Sequence, residues 1–276
     1  MARRSTTCTH CGRMIDSRQL HCMWCGAARP RFGGRLMQFM RGEGASNLVV
    51  QGIIAANVAF YLLSLLLGSE RGMSGNPLRF LSPDPNSLSL LGATGAVPVF
   101  ELGRVWTLIS ASFLHGGLLH IIFNMMALRQ IGPWVSVEFG ASRMFIIYTL
   151  SGVAGYLASC FAGIAYTIGA SASVCGLIGA LFFFGKNRGG NYGAAVSREV
   201  SGWLISLVLF GLVMPGINNW GHGGGIVGGA VLAKLLGYSE RRPESTWHRL
   251  LALFCLTATV LILAWALFLA LALRRF

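Results

Sequence analysis

Four groups of residues in this 276-residue chain have types and spacings that could do chemistry. The first is His115-Gly-Gly-Leu-Leu-His120-Ile-Ile-Phe-Asn124. His120 and Asn124 are four residues apart, so on a helix they project from one face as hydrogen-bond donors aimed at a common point. The second is Gly169-Ala170-Ser171-Ala172-Ser173, at the head of an apolar run. A serine at a helix N-terminus has free backbone N–H groups beside it, and these and the helix dipole favour developing negative charge. That suits a nucleophile with an oxyanion pocket. Ser173 is about 200° further round such a helix and cannot face the same partner. The third is Asn219-Trp220-Gly221-His222, followed by glycines that include Gly225 and Gly229. Gly221, Gly225 and Gly229 recur every four residues and make one smooth helix face, with His222 one position away. Each of the three has a plain structural alternative when taken singly. These are an interhelical hydrogen-bond pair, a close-packing surface of small residues, and a buried imidazole bonded to a carbonyl.

The fourth group is Cys8-Thr-His-Cys11-Gly12 and Cys22-Met-Trp-Cys25-Gly26, two C-x2-C pairs separated by ten residues. Two thiolates two residues apart hold one metal, and the following glycine permits the tight turn around sulfur. Cys8, Cys11, Cys22 and Cys25 therefore read as a closed, structural zinc site of the ribbon type, with no open position for catalysis. The ten intervening residues fit one hairpin. Iron, two disulfides and free thiols are the alternatives. Disulfides conflict with the reducing compartment that the charge distribution requires. Cys160, Cys175 and Cys255 lie in apolar runs and read as small core hydrophobes.

The elements that position these groups follow from composition. The chain is 54% hydrophobic and only 11% charged, with a mean hydropathy of +0.62. A soluble domain carries roughly a quarter charged residues, so both a water-soluble globule and a disordered chain are excluded. The class is an all-α polytopic membrane protein. Apolar runs predict spans over 48–67, 116–134, 143–163, 169–185, 201–214, 220–237 and 250–273. The short runs rich in Gly, Ala and Ser belong inside the bundle, and the last, apolar all round, belongs at its lipid-facing edge. The segment 68–104, with Pro77, Pro83, Pro85 and Pro98, is too long for a plain connector and reads as functional. The predicted domains are a cytoplasmic zinc ribbon and linker over 1–47, a catalytic core over 48–237, and a linker with the seventh span over 238–276.

The net charge of +13 would suggest nucleic acid on a soluble protein. Here the basic residues flank the spans instead. With a cytoplasmic N-terminus, seventeen of the 22 Lys and Arg fall on the cytoplasmic side and five on the other, which favours that orientation. Spans two, four and six then run from outside to inside. His120, Ser171 and His222 all come in their first turns and share one depth below the outer surface. A hydroxyl, an imidazole and extra donors at one level are the parts of a serine hydrolase. None of the nine acids falls within an apolar run near them, which leaves a Ser–His dyad in place of a triad.

These residues resemble the rhomboid intramembrane serine proteases. The family pattern, H-x-x-x-N in the second span, G-x-S in the fourth and H-x-x-G-x-x-G in the sixth, is matched by His120…Asn124, Gly169-Ala170-Ser171 and His222…Gly225…Gly228. Arg104-Val105-Trp106 is similar to the family's Trp/Arg element of the first loop, with the order differing. The resemblance covers about residues 48–237 and implies a six-plus-one arrangement of spans. It further implies that Ser171 attacks the scissile carbonyl and that His222 accepts its proton. His120, Asn124 and the Ser171 backbone N–H would hold the oxyanion beside Gly169. Two positions depart from the common pattern: Ala172 where many members have Gly, and Cys175 where many have an aromatic that packs on the catalytic histidine.

The expected activity is cleavage of a transmembrane segment of another membrane protein in the lipid bilayer, with no catalytic cofactor and no nucleic-acid partner. The expected location is a bacterial cytoplasmic membrane, multi-pass. The competing expectations are a rhomboid-like pseudoprotease that binds membrane clients, and a small transporter using the histidines as proton carriers. The transporter lacks support, since no internal repeat is visible.

Overall fold

The apolar runs form helices because a backbone in hydrocarbon has to bond its own polar groups. The computed structural model describes residues 5–7, 14–16, 22–23, 43–68, 72–73, 80–214 and 216–273. The chain divides into two compact units, Met1–Leu48 and Val49–Phe276.

In the first unit, β1 (Ser5–Thr7) pairs antiparallel with β2 (Met14–Asp16), Thr6 opposite Ile15. The pairing thus spans the chain on either side of Cys8 and Cys11, whereas the expected hairpin lay between the two cysteine pairs. Cys8, Cys11 and Cys25 lie outside the described residues; Cys22 is 3% exposed.

Seven long helices follow at the places of the seven apolar runs. They are α1 (Glu43–Leu67), α4 (Leu118–Phe139), α5 (Ala141–Phe161), α6 (Ser171–Arg188), α7 (Gly190–Val213), α8 (Asn219–Leu236) and α9 (Thr246–Leu273). Two short helices, α2 (Pro85–Leu90) and α3 (Thr107–Ser110), precede α4. Helix α7 starts eleven residues before the apolar run it contains. Its first three turns are small and polar, so hydropathy misses them. Among the described residues, four helices are long and apolar enough to cross a membrane by themselves: the segment Asn47–Leu67, α5, α7 and α9. A fifth results if Thr107–Phe113 and α4, bent by 95°, count as one span. Helices α6 and α8 miss this criterion because of polar residues in their short spans, Lys186-Asn187-Arg188 in α6 and Asn219, His222 and Lys234 in α8, together with their glycines. Helix α9 behaves as its all-round apolarity predicts, with Leu253, Phe254, Leu261 and Phe268 exposed.

The long connection after α1 is ordered where described. Strand β3 (Gly72–Met73) pairs with β4 (Phe80–Ser82). Asp84 caps α2 through its carboxylate, which accepts from the Ser87 N–H. The chain then makes a π-helical turn over Val97–Glu101 and runs through α3 into a 3-10 turn, Ala111–Phe113. This connection braces the segment that leads into α6. Thr94 and Thr167 exchange backbone hydrogen bonds of 3.1 and 2.6 Å, and the Ala96 N–H donates to the Ile164 carbonyl at 2.7 Å.

The core is backbone against backbone. A Cβ on Gly225 would lie 2.2 Å from the Ala172 carbonyl oxygen, and one on Gly229 would lie 1.8 Å from that of Gly176. The predicted stripe Gly221, Gly225, Gly229 is buried, with Gly225 and Gly229 against α6. A second stripe, Gly224 and Gly228, meets α5 at Ala158 and Ala154. Cys160, Cys175 and Cys255 are buried.

Candidate active site

Ser171 opens α6, following Ala170, and is half-buried. The chain reaches it through Gly169, whose φ of +122° lies in the region that favours glycine. Glycine is also required by space. A Cβ there would sit 2.7 Å from His120 Nε2 and 3.7 Å from Ser171 Oγ. The hydroxyl and the His120 ring therefore converge on one point, the space that a Cβ on residue 169 would fill.

The His120 ring is oriented by its own turn. The Gly116 N–H donates to Nδ1 at 3.3 Å. A ring nitrogen that accepts carries no proton, so the proton of the neutral ring is on Nε2, the atom facing Gly169. His120 thus presents a donor. Asn124 is buried one turn on, and its Nδ2 donates to the His120 carbonyl at 2.9 Å, leaving its second amide hydrogen free of that bond.

His222 lies in the first turn of α8, half-buried. It is three residues before Gly225, and Gly225 touches Ala172, the neighbour of Ser171. Ser171 and His222 are thus carried on facing first turns of two helices in backbone contact. Among the described residues no hydrogen bond joins their side chains, and His222 Nδ1 is buried without a partner. No carboxylate hydrogen-bonds any of these imidazoles among the described residues. Glu138 and Glu244 belong to the opposite ends of the helices, where they accept from Tyr192 and from Ser142 and Arg143. Ser173 faces away as its angular position requires: its Oγ approaches Gly152 and lies 3.5 Å from Ser112 Oγ. Cys175 is fully buried in the core.

The structure adds residues that spacing did not reveal. Asn218 caps α8 by accepting from the Gly221 N–H at 3.0 Å. Its Nδ2 donates to Ser159 Oγ at 2.7 Å and to Thr167 Oγ1 at 2.9 Å. One side chain thereby ties the helix of His222 to α5 and to the segment entering Ser171. Tyr156, 2% exposed, donates its hydroxyl to the Gly169 carbonyl. His115 is fully buried, packs its ring edgewise on His120 at 5.0 Å between centroids, and has both nitrogens unpartnered among the described residues. A phenol within an apolar run signals a buried partner, since buried Tyr hydroxyls find one. Which carbonyl it finds is not legible from spacing.

Fold and site together define an integral membrane protein of helices, with a serine, two histidines and an asparagine gathered at one end of a glycine-packed bundle. Residues 102–239 match the Rhomboid domain family over half of the chain, and the chain belongs to the rhomboid family. It is 31% identical to RHOMBOID-like protein 4 of Arabidopsis thaliana over 232 residues, 75% of this chain and 58% of that protein. It is 31% identical to Rhomboid protease GluP of Bacillus subtilis over 49% of this chain and 27% of that protein. To Inactive RHOMBOID-like protein 8 of Arabidopsis thaliana it is 30% identical over 59% of this chain and 47% of that protein. The chain thus spans between about a quarter and three-fifths of these relatives. Plant and bacterial relatives together support an integral membrane location, and do not support the bacterial inner membrane in particular.

Proposed function

We propose that the chain is an intramembrane serine endopeptidase that cleaves within or beside a transmembrane helix of another membrane protein, using Ser171 and His222 as a dyad. The observation that carries this reading is the convergence at Gly169: Ser171 Oγ and the Nε2 donor of His120 border the space that the missing Cβ leaves, while α8 holds His222 in the facing turn. Ser171 Oγ attacks the scissile carbonyl carbon, and its proton passes to the open nitrogen of His222. The carbonyl oxygen, now an oxyanion, accepts from His120 Nε2–H, the Asn124 amide and the Ser171 backbone N–H. Donors placed where charge develops contribute about 2.7–4 kcal/mol each to the barrier. The C–N bond then breaks, and the His222 proton leaves with the amine. Water, deprotonated by His222, attacks the acyl ester, releases the carboxylic acid and restores the serine. A substrate helix has to expose its carbonyl first, so Gly or Ser near the cut should speed cleavage, and helix-favouring Ala or Leu should slow it.

Supporting the topology is the excess of basic residues on one side, which sets the N-terminus and the Ser171-distal ends inside. The seven long helices fit six core spans plus one. For the first unit we propose a structural zinc held by Cys8, Cys11, Cys22 and Cys25. The strand pairing on either side of the first cysteine pair and the burial of Cys22 fit that donor set. Zinc analysis of the purified full chain should give one equivalent, lost in Cys8→Ser/Cys11→Ser.

A pseudoprotease that binds membrane clients is the second reading. It is favoured by the likeness to an inactive relative and by the absence of a bond between Ser171 and His222 among the described residues. Cleavage of a model transmembrane segment in proteoliposomes decides between them. Wild type and Ser173→Ala should cut, and Ser171→Ala and His222→Ala should not. Full activity in Ser171→Ala ends the assignment.

A further inference from the structure

The peptide that precedes the nucleophile is held from both sides by groups that are not part of the dyad. The Gly169 N–H donates to the Ala111 carbonyl at 2.9 Å. Its carbonyl accepts from Tyr156, on α5. The Gly169–Ala170 peptide is trans, as are all those described. In a trans peptide C=O and N–H point in opposite directions. With the carbonyl turned toward Tyr156, the Ala170 N–H is turned away from it. Ala170 has no exposed surface, yet among the described residues no acceptor takes up its N–H. A buried backbone donor without an acceptor is rare and costly. Here it lies one residue before Ser171, next to the N–H groups that open α6.

We infer that Tyr156 is a positioning residue of the reaction: its hydroxyl locks the Gly169–Ala170 peptide in the orientation that aims the Ala170 N–H at the oxyanion. Full inversion of this peptide is closed, since it would carry φ of Ala170, now −67°, to positive values that an L residue avoids, but glycine without a Cβ leaves ψ of residue 169 loosely held and the peptide free to tilt. A tilted peptide would swing the Ala170 N–H off the oxyanion and weaken its hold on the developing charge. Glycine is needed for the approach of His120, so the same residue that admits the imidazole leaves its own peptide free to tilt. The hydroxyl of Tyr156 removes that freedom. Ser112, whose hydroxyl lies near both Tyr156 and Ser173, completes a small polar patch behind the nucleophile. This inference rests on the reading of Ser171 as nucleophile.

The test uses the full chain in proteoliposomes with a model transmembrane substrate, comparing wild type, Ser171→Ala, Tyr156→Phe and Tyr156→Leu. Tyr156→Phe deletes one oxygen atom and keeps the ring. It should lower kcat about ten-fold, less than the roughly 10²–10³ that outright loss of an oxyanion donor costs because the donor is misaimed and not removed, with KM within two-fold. It should weaken a peptide aldehyde, which forms a tetrahedral oxyanion on the serine, by a similar factor. Its melting temperature should stay near that of wild type, while Tyr156→Leu, which also opens a cavity, should melt lower. A Tyr156→Phe protein with unchanged kcat and aldehyde affinity overturns the inference. So does one that fails to fold, because the hydroxyl would then be structural, and so does a change confined to KM. If wild type does not cut, or Ser171→Ala does, the parent reading falls and takes this one with it. That result is separable from the others because it needs no Tyr156 variant.

Discussion

The two ends of the helical bundle treat polar groups in opposite ways. At the end that carries Ser171, donors and acceptors are left over. His115 has two unpartnered nitrogens, His222 has one, and the N–H groups around Ser171 have no acceptor among the described residues. At the other end most are used, with Ser136 Oγ and Arg143 Nε the buried atoms left without a partner among the described residues. Arg143, fully buried, donates to the carbonyls of Phe139, Arg242 and Pro243. Glu244 caps α5 by accepting from the N–H groups of Ser142 and Arg143 at 2.8 and 3.1 Å, and from Ser142 Oγ at 3.3 Å. Arg188 makes a two-pronged bond with Glu240 at 2.8 and 2.9 Å. Unsatisfied polar groups in a low-dielectric interior cost stability, and satisfied networks hold structure. One end is therefore built to hold the bundle, and the other leaves polar groups free, as the proposed protease function requires.

If this division is right, substitutions at the two ends should separate activity from stability. The largest effect is expected at Ser171 and His222. Replacing either with Ala should lower the cleavage rate about 10³-fold or more, with little change in thermal melting. A melting loss that parallels the activity loss would erase the contrast. Next is Gly229→Ala, whose methyl would meet the Gly176 carbonyl and push α8 from α6. Overpacking of this kind costs about 1–3 kcal/mol. Because the contact lies two turns below His222, activity should fall as well, so the interface between the two ends shows both defects.

Smaller effects are expected at the far end. Glu244→Ala removes the acceptor that caps α5 and should cost about 1–2 kcal/mol of stability, read from thermal or denaturant melting in detergent. Its kcat on a model substrate should stay within two-fold of wild type; a ten-fold drop would show that the two ends are coupled. The smallest effect belongs to Glu240. Its bond with Arg188 holds the carboxyl below its ordinary value. The sign follows: the bond contributes above the ordinary carboxylate range and is lost as pH falls through the depressed value. Both groups face water and salt, so Glu240→Gln should leave the melting temperature unchanged at neutral pH. It should flatten slightly the loss of stability in acid.

Much of the site was legible before any coordinates. His120 with Asn124, Gly169 with Ser171, and His222 with its glycines announce themselves because helical periodicity turns spacing into shared faces. Ser173 could be set aside on the same ground. Less of the scaffold was legible. Helix α7 begins at Gly190 because backbone bonding continues where apolar content does not, and hydropathy follows only the second. Tyr156, Asn218 and Glu244 act on partners 13, 51 and 102 residues away, distances with no periodic signature.

Sequence alone determined that this chain is a helical membrane protein, where its long helices lie, and that His120, Ser171 and His222 come in the first turns of three of them. Burying backbone polar groups in lipid and packing small residues against one another leave a local, repeating mark. Tertiary structure alone decided how the peptide before Ser171 is turned, which carbonyls hold Arg143, and what ties the helix of His222 to the segment entering Ser171. Those outcomes depend on single hydrogen bonds between distant residues, and they exist only once the helices have packed.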